Sequence, residues 1–474
     1  LSRIGFGGKV LPLIQSMYYN DNVQLPLPTR LSAPIWFTKG VKQGCSLSPM
    51  LFALYVSGLG DALHNSELGF RMGEVVLTAI FFADDLVLIA GSPKYAMDRL
   101  LDTVARFCRD MYMKLAVSKT FILTNSTNPV DWSVDDETIE EVMSAKYLGV
   151  NMQIRGRNMV GQYEAVMLKR ATGCAMSIMN LTRAGLDRAL IAKRLWECCA
   201  IPSILYCAEV LVVSKKTVEE LERIQNMVGR FILQVPSSTS RALAWMDAGL
   251  VPMQDRIQTK QANYIWSAVK SRTNPTVHKI LQFLLTKPED QWVRNWMRIQ
   301  QDVGIITAYS TRKELNDALR DRSVSHVMAV KSEHTTMAVV PQPKSWFKLQ
   351  THVTDSFASR TLCCVRAGNT LLGNRFKNRY GRRYDMCPHC MLVLHKHAVL
   401  RESHVLFNCP IVSRQRRSLG LTQYKLRALR RGPCTARTVL RSYLGGDGAE
   451  KMQLLERGKR MAIILEAWLV KIHE

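Results

Sequence analysis

Hydrophobic and polar positions follow different periods in the first third of the chain and in its middle. Residues 79–90 consist of two short apolar runs on either side of two aspartates, a pattern that predicts two short, largely buried strands joined by a turn. Between residues 217 and 232, apolar side chains recur every three to four positions, which predicts a helix with one buried face. Residues 151–270 are helical in pattern throughout. The chain is therefore expected to be an α+β protein.

The turn between the two predicted strands carries Asp84 and Asp85. Burial of an unpaired carboxylate is costly, so two carboxylates between apolar runs favour a bound cation. Magnesium suits the position because it takes oxygen ligands and keeps coordination sites for water and substrate phosphate. An ordinary polar turn is the alternative, and the neighbouring segments must decide between the two.

A glycine-framed loop precedes the strands and presents Lys42 and Gln43 between Gly40 and Gly44. Its backbone can approach a flat partner closely. Lys42 is interpreted either as a phosphate contact or as an ordinary surface lysine. Ser48 and the proline that follows it are suited to begin the next helix.

Composition and charge predict that the protein binds a partner with many negative charges. The 474 residues are 47% hydrophobic and 22% charged, with a net charge of +25. Residues 1–150 hold 13 Lys and Arg against 15 Asp and Glu, whereas residues 361–474 hold 22 against 7. Lysine and arginine neutralise phosphates, which predicts salt-sensitive binding of nucleic acid. No apolar run approaches about 18 residues, so no membrane association is expected.

Four segments in this order resemble the palm of reverse transcriptases, most closely those of LINE-type (non-long-terminal-repeat) retrotransposons. Gly40 to Pro49 is similar to the motif G-x-x-Q-G-x-x-x-S-P, and Phe82 to Asp85 matches the aromatic-Ala-Asp-Asp box. Lys114 to Thr120 resembles the lysine motif L-N-x-x-K-T, although Ala116 stands where Asn is common. Tyr147 to Gly149 resembles the Y-L-G turn.

The resemblance implies an RNA-directed DNA polymerase that uses two magnesium ions for phosphoryl transfer. It implies that Asp84 is the principal metal ligand, that Asp85 lies beside it, and that Lys119 is a general acid for the departing pyrophosphate. The expected partners are an RNA template, a DNA primer or target, and deoxynucleoside triphosphates. The implied substrate-binding residues are Gln43, Gly44, Phe82 and Ala83.

One departure from the family concerns the third palm carboxylate, which the family carries in a D-x-x-x-A-F-D-like segment before the glutamine loop. The chain has no such segment, and its first acidic residue, Asp21, is predicted to lie in a polar turn. We therefore expect a carboxy-terminal portion of a longer polymerase, or a decayed copy, which is inactive without the missing amino-terminal part.

A second metal site is predicted from the spacing C-x2-C-x13-H-x4-C. Its three thiolates and one imidazole suit structural zinc, and LINE-type polymerases carry a similar knuckle after the thumb. Unliganded cysteines are the alternative. The proposed ligands are Cys387, Cys390, His404 and Cys409, and the rival histidines are His389, His395 and His397.

Basic residues flank this predicted zinc knuckle on both sides and favour contact with RNA or DNA over a merely solvated surface. They are Arg375, Lys377, Arg379, Arg382 and Arg383 before it, and Arg414, Arg416 and Arg417 after it.

The expected organisation is a partial palm over residues 1–150, a helical thumb over 151–330, a linker over 331–360, and a basic zinc-knuckle and helical domain over 361–474. Twelve cysteines without a secretory segment favour a reducing, nuclear and cytoplasmic location. The competing functional interpretation is a non-catalytic nucleic-acid-binding relic that retains the thumb and knuckle. A maturase-like splicing partner is a third possibility.

Overall fold

The computed structural model describes residues 5–329, 386–422 and 460–467, with gaps inside each range. The predicted linker over 331–360 and the basic residues between 375 and 383 lie outside the described residues. The residues left out within the ranges are 20, 38, 92–93, 126–129, 154–158, 184–190, 236, 238, 240, 242–247, 271–273, 399, 401, 462 and 466.

The described elements are mixed helices and short strands, and the α+β prediction is confirmed. The helices are α1 (Val10–Tyr18), α2 (Ser48–His64), α3 (Lys94–Asp110), α4 (Met159–Arg183), α5 (Lys193–Leu195), α6 (Ile201–Ile204), α7 (Lys215–Leu233), α8 (Met253–Lys270), α9 (Pro275–Leu285), α10 (Gln291–Val303), α11 (Arg312–Ala329), α12 (Pro388–Leu392), α13 (Glu402–Phe407) and α14 (Ser413–Ser418). The strands are β1 (Asn22–Val23), β2 (Ile35–Trp36), β3 (Phe70–Met72), β4 (Val75–Leu77), β5 (Ala79–Phe82), β6 (Asp85–Leu88), β7 (Phe121–Ile122), β8 (Trp132–Val134), β9 (Glu137–Glu141), β10 (Ala145–Tyr147) and β11 (Val150–Met152). Short 3-10 turns occur at Val117–Lys119, Ile306–Ala308 and Pro410–Val412, and Trp196–Ala200 is π-helical.

The chain forms two compact units. The first contains residues 1–148, 152–156 and 274–286, and the second contains 149–151, 157–273 and 287–474. In the first unit the strands form separate small sheets: β1 with β2, β3 with β4, β5 with β6, and the three-stranded β7-β9-β8. Most pairs are antiparallel, but β7 and β9 run parallel.

The first unit has its core between helices α2 and α3. Leu59 and Leu63 of α2 pack with Leu100 and Val104 of α3, and all four side chains are buried. Burial of each leucine or valine side chain contributes about 1.5–3 kcal/mol to the free energy of unfolding. The packing of α2 against α3 therefore stabilises the unit and gives the strands an apolar surface to pack on. Side chains from β5 and β6, among them Leu88, pack against the same cluster.

Helix α9 belongs to the first unit, although the sequence interpretation placed its residues in the thumb. The contact is made at Gly73, whose backbone has φ +59°. A Cβ atom there would lie 2.9 Å from Cδ2 of Phe283, which is closer than side-chain atoms approach one another. Gly73 therefore permits the α9 contact both by its conformation and by its small size.

In the second unit, helices α4, α7 and α8 share an apolar core with the cysteine-histidine segment. Fully buried members include Trp196, Met167 of α4 and Leu221 of α7. Cys387 and Ile464, which lie far along the chain, belong to the same core. The predicted stripe of α7 is present, with Leu221 and Val228 buried and Val218 packed at the edge.

Helix α7 also buries polar side chains that the apolar pattern did not predict. Glu222 is 7% exposed and accepts hydrogen bonds from the backbone N–H groups of Met253 and Gln254 at the start of α8. Burial raises the pKa of Glu222 to about 7, while the two backbone donors oppose that change and Asp255 reinforces it. Glu222 of α7 thus satisfies backbone N–H groups at the start of α8 that have no partner within α8.

The raised pKa predicts how Glu222→Gln changes stability with pH. Because the folded state favours the protonated acid, its stabilising contribution is full below pH 4.5, the unfolded value, and is lost as the pH rises to about 7. Above pH 7, Glu222→Gln should therefore raise the free energy of unfolding on the order of 2 kcal/mol, and at pH 4.5 it should have no effect. Urea unfolding at both pH values measures this difference.

The matched control is Glu219→Gln, which changes an exposed carboxylate on the same helix. It should shift the unfolding midpoint little at either pH. Equal responses of the two variants would contradict the role assigned to Glu222.

Candidate functional site

Strands β5 and β6 form a hairpin whose two-residue turn is Ala83-Asp84. Phe82 lies directly opposite Asp85 in the register, so these two side chains share one face of the hairpin. Asp84 occupies the tip, and both carboxylates are solvent-exposed. The prediction of two aspartates at the tip of a hairpin is met.

The predicted burial of this hairpin is wrong on one face. Ile80 is 40% exposed and Phe82 is 59% exposed, whereas Leu88 on the opposite face packs against the α2–α3 core. Among the described residues, the apolar clusters of the first unit take in Ala79, Leu86 and Leu88, which share the opposite face of the hairpin, and not Ile80 or Phe82. Because both carboxylates are exposed, the energetic cost of burying a carboxylate gives no argument for a bound cation here.

The turn residue Ala83 has φ 53°, in the left-handed region that non-glycine residues rarely adopt. This conformation costs roughly 1–2 kcal/mol for an L-residue. Strained backbone of this kind clusters at functional sites, and here it sets the position of the carboxylate of Asp84.

Tyr147 of β10 lies close enough to Asp85 to be affected by its charge. Burial raises the pKa of Tyr147, and the negative charge of Asp85 raises it further. Its hydroxyl oxygen is buried and has no hydrogen-bond partner among the described residues. The Y-L-G motif signalled this turn in the sequence, but not the proximity of Tyr147 to Asp85.

The other predicted substrate residues lie on separate loops of the first unit. Gln43 and Gly44 are exposed in the segment before α2. Lys119 is exposed at the end of a 3-10 turn, where its N–H donates to the carbonyl of Ala116 at 2.9 Å. Leu115 on the same segment packs against the unit's apolar clusters, which fixes the start of the lysine motif.

Neither Gln43 nor Lys119 makes a hydrogen bond or an ion pair with Asp84 or Asp85 within the part of the chain that the structure describes. No third acidic side chain joins the two aspartates there either. In the described residues, the group of three or more potential metal ligands is the cysteine-histidine set alone.

Cys387, Cys390, His404 and Cys409 come together in the second unit, with their ligand atoms all within 4.8 Å of one another. The Sγ atoms of Cys387 and Cys409 are 3.7 Å apart, and Cys390 Sγ lies 3.4 Å from His404 Nε2. Tetrahedral zinc with Zn–S bonds of about 2.3 Å places two sulfurs about 3.8 Å apart. The rival histidines His389, His395 and His397 are not members of this group.

Secondary structure accounts for the convergence of the four donors. Cys387 precedes α12, and the N–H of Met391 in that helix donates to its carbonyl at 3.0 Å. His404 lies in α13, and its carbonyl accepts hydrogen bonds from the N–H groups of Asn408 and Cys409 at 2.8 and 2.7 Å. The turn that follows α13 therefore returns Cys409 to the histidine of the same helix.

The three thiols influence one another strongly. A hydrogen bond from Cys409 holds the pKa of Cys387 down to about 4, with His404 contributing, while donation to Cys387 and burial raise the pKa of Cys409. Burial, then the charge of Cys387, raises the pKa of Cys390. Protein alone thus favours one thiolate, and full deprotonation of the set requires a cation at its centre.

The prediction that Arg416 contacts nucleic acid is corrected by its position. The side chain is 5% exposed, and its guanidinium donates to the backbone carbonyl of Cys409. Arg416 therefore supports the cysteine-histidine set, as an outer-shell partner of its backbone. Arg414 and Arg417 are exposed on α14 and remain open to a phosphate. The apolar neighbours of Arg416 in sequence were too few to signal its burial.

Comparison with known proteins finds similarity to reverse transcriptases in the part of the chain that carries the hairpin aspartates. The family model for reverse transcriptase (RNA-dependent DNA polymerase) matches residues 4–152. The chain is 33% identical over 131 residues to the Retrovirus-related Pol polyprotein from type-2 retrotransposable element R2DM of Drosophila melanogaster, covering 25% of this chain and 12% of that protein. It is 26% identical over 231 residues to the Transposon TX1 uncharacterized 149 kDa protein of Xenopus laevis, covering 44% and 17%.

Residues 4–152, which include the hairpin aspartates, accordingly resemble a reverse-transcriptase palm. This match, together with the similarity to the two retrotransposon proteins, supports a LINE-type reverse transcriptase over that region. The chain spans less than a fifth of the length of either relative that it matches. No helix within the described ranges has the length and apolar composition needed to cross a bilayer.

The position of Arg416 predicts that Arg416→Met destabilises the cysteine-histidine segment. Loss of the guanidinium leaves the Cys409 carbonyl buried without its donor, at a cost of about 1–3 kcal/mol. Hydrogen exchange of α13 should accelerate accordingly. Arg417→Met, which truncates the exposed neighbour, is the control and should leave this exchange unchanged; equal effects would refute the structural role.

Proposed function

We propose that this chain provides palm, thumb and zinc-knuckle parts of an enzyme that copies retrotransposon RNA into DNA. The observation that carries the proposal is the exposed pair Asp84 and Asp85 at a strained hairpin tip, inside the segment that matches the reverse transcriptase family. The proposed substrates are an RNA template, a DNA primer or nicked target, and deoxynucleoside triphosphates.

Asp84 and Asp85 would hold magnesium, which commonly binds through one or two carboxylates with substrate phosphates completing its shell. The donor set fits, since both groups are exposed carboxylates that a phosphate-bound cation can reach. When bound, such ions stabilise the charge that develops on the attacking and leaving oxygens.

The protein side chains would orient the reactants and move the proton. Gln43, exposed on its loop, would line the pocket for the nascent base pair, and Phe82 would support the primer end from the face it shares with Asp85. Lys119 would donate a proton to the pyrophosphate oxygen as its bond to the transferred phosphorus breaks. Its exposed ammonium at a fixed 3-10 turn is consistent with that role.

The second unit would hold the duplex and the RNA. Positive charge is concentrated behind residue 150, and Arg414 and Arg417 are exposed beside the cysteine-histidine set. Zinc bound by Cys387, Cys390, His404 and Cys409 would fix these arginines relative to the unit's core. Action in the nucleus and cytoplasm accords with this chemistry.

A second candidate function is nucleic-acid binding without catalysis. It is favoured by the lack of a third acidic side chain beside Asp84 and Asp85 in the described residues, together with the basic charge of the later part of the chain. The two candidates differ in whether bound primer is extended.

Asp84→Asn separates these candidates. In the enzyme of which this chain provides parts, we expect it to reduce DNA extension of a primer on an RNA template at least about 100-fold, because a metal ligand stabilises the transition state by several kcal/mol. Affinity for the template–primer, measured by fluorescence anisotropy, should change little. Asp136→Asn is the matched control, since Asp136 is also an exposed aspartate at a hairpin turn.

The outcomes are distinct. Extension that survives Asp84→Asn refutes the metal assignment. If the same enzyme with Asp84 unaltered binds the template–primer but never extends it, the binding protein is supported. A chain that does not bind nucleic acid at all refutes both candidates.

Cys387→Ser tests the zinc proposal. Removing one thiolate from the four-donor set should lower the bound zinc, measured by atomic spectroscopy, and should expose residues 386–422 to hydrogen exchange. Cys198→Ser replaces an exposed cysteine outside the set and should leave both measurements unchanged. Unaltered zinc content in Cys387→Ser would disprove the knuckle.

A further inference from the structure

Asp21 and Lys42 form an ion pair that neither the polar-turn nor the phosphate-contact interpretation predicted. The ammonium Nζ of Lys42 lies 2.9 Å from Oδ1 of Asp21, and the carboxylate is 14% exposed. Asp21 follows α1, and its carbonyl accepts from the N–H of Phe37, which continues the β1–β2 pairing. The pair therefore links the glutamine loop to an anchored segment of the first unit.

The backbone of Lys42 is held as well as its side chain. The hydroxyl of Ser48 donates to the Lys42 carbonyl at 2.6 Å, and Ser48 is buried at the start of α2. Since that hydroxyl has a single proton, the contact between Tyr18 and Ser48 at 3.5 Å is one in which Tyr18 donates. The Tyr18 ring also lies under the Lys42 ammonium, 5.7 Å away.

These contacts join Tyr18, Lys42 and Ser48 to one another, and Asp21 binds the charged end of Lys42. Each member is held by two others or by anchored backbone, so Lys42 is fixed at both its charged end and its carbonyl. A phosphate would have to displace a carboxylate already bound to this ammonium. The pair is thus built to hold the loop in place.

The residue immediately after Lys42 is Gln43, which makes no hydrogen bond or ion pair among the described residues and is exposed. Gly44 follows with φ +87°, a conformation that lets the chain turn sharply toward α2. The amide of Gln43 is therefore presented between a fixed residue and a turn, and its position depends on how firmly Lys42 is held.

We propose that Asp21 and Lys42 are positioning residues, which hold Gln43 in the geometry needed to line the pocket for the incoming nucleotide. The proposal rests on the polymerase function proposed above. It assigns Asp21 a role in nucleotide binding that does not involve contact with a metal or with substrate.

The first measurement is hydrogen exchange of residues 40–48 in the full chain. Asp21→Asn and Lys42→Met should each accelerate exchange about three- to tenfold, as expected for loss of a partly buried ion pair. The double variant should equal Lys42→Met, because Lys42→Met already removes the ion pair that Asp21→Asn removes. Lys39→Met, an exposed lysine on the same segment, is the control. Unchanged exchange in the single variants, or additive effects in the double variant, would overturn the proposal.

The second measurement is steady-state primer extension with correct and mismatched nucleotides. Asp21→Asn and Lys42→Met should raise the KM for the correct nucleotide and change kcat less. They should also reduce the ratio of kcat/KM for the correct nucleotide to kcat/KM for a mismatched one. Lys42→Arg, which keeps the charge, should recover most of the preference. If the variants accelerate hydrogen exchange of the loop but leave the KM and the fidelity unchanged, the ion pair has a structural role only. That result would overturn the proposal.

The wild-type chain distinguishes this outcome from failure of the polymerase function itself. If it binds no template–primer, both proposals fail. If it extends primers normally while the ion-pair variants behave like wild type, only the positioning role fails.

Discussion

The apolar core of the second unit is the constraint on which most of the molecule depends. It joins α4, α7 and α8 to a cysteine-histidine segment more than 100 residues further along the chain. Helices of this kind derive most of their stability from the burial of one face, so none of them is independent of the others. Disturbance of the cysteine-histidine set therefore reaches the helices proposed to grip a duplex.

Polar side chains tie this core together at helix ends. Glu222 serves the start of α8, and Glu164 accepts hydrogen bonds from the backbone and side chain of Ser214, which itself caps α7. Gln261 donates to the carbonyls of Ala208 and Leu211 after the π-helical segment. In each case a long side chain on one helix satisfies groups that the neighbouring backbone cannot pair internally.

The sequence predicted well those features that depend on residues close together along the chain. The paired aspartates at a hairpin tip, the apolar stripe of α7 and the convergence of Cys387, Cys390, His404 and Cys409 all depend on neighbours along the chain. The rest depended on distant contacts. The burial of Glu222 and Arg416, the pairing of Asp21 with Lys42, and the contact of α9 with Gly73 each join residues whose separation follows no period. Hydrophobic pattern cannot identify such partners, because polar residues at these positions resemble solvated ones.

The open face of the β5–β6 hairpin has a consequence for the protein in solution. Ile80 and Phe82 leave apolar surface exposed on this face. Exposed apolar strands of this kind favour association with a second molecule. The two negative charges at the end of the hairpin repel the same charges on an approaching copy. Like charges at this end of the hairpin oppose the addition of a second hairpin there, and the repulsion between them reaches furthest at low ionic strength.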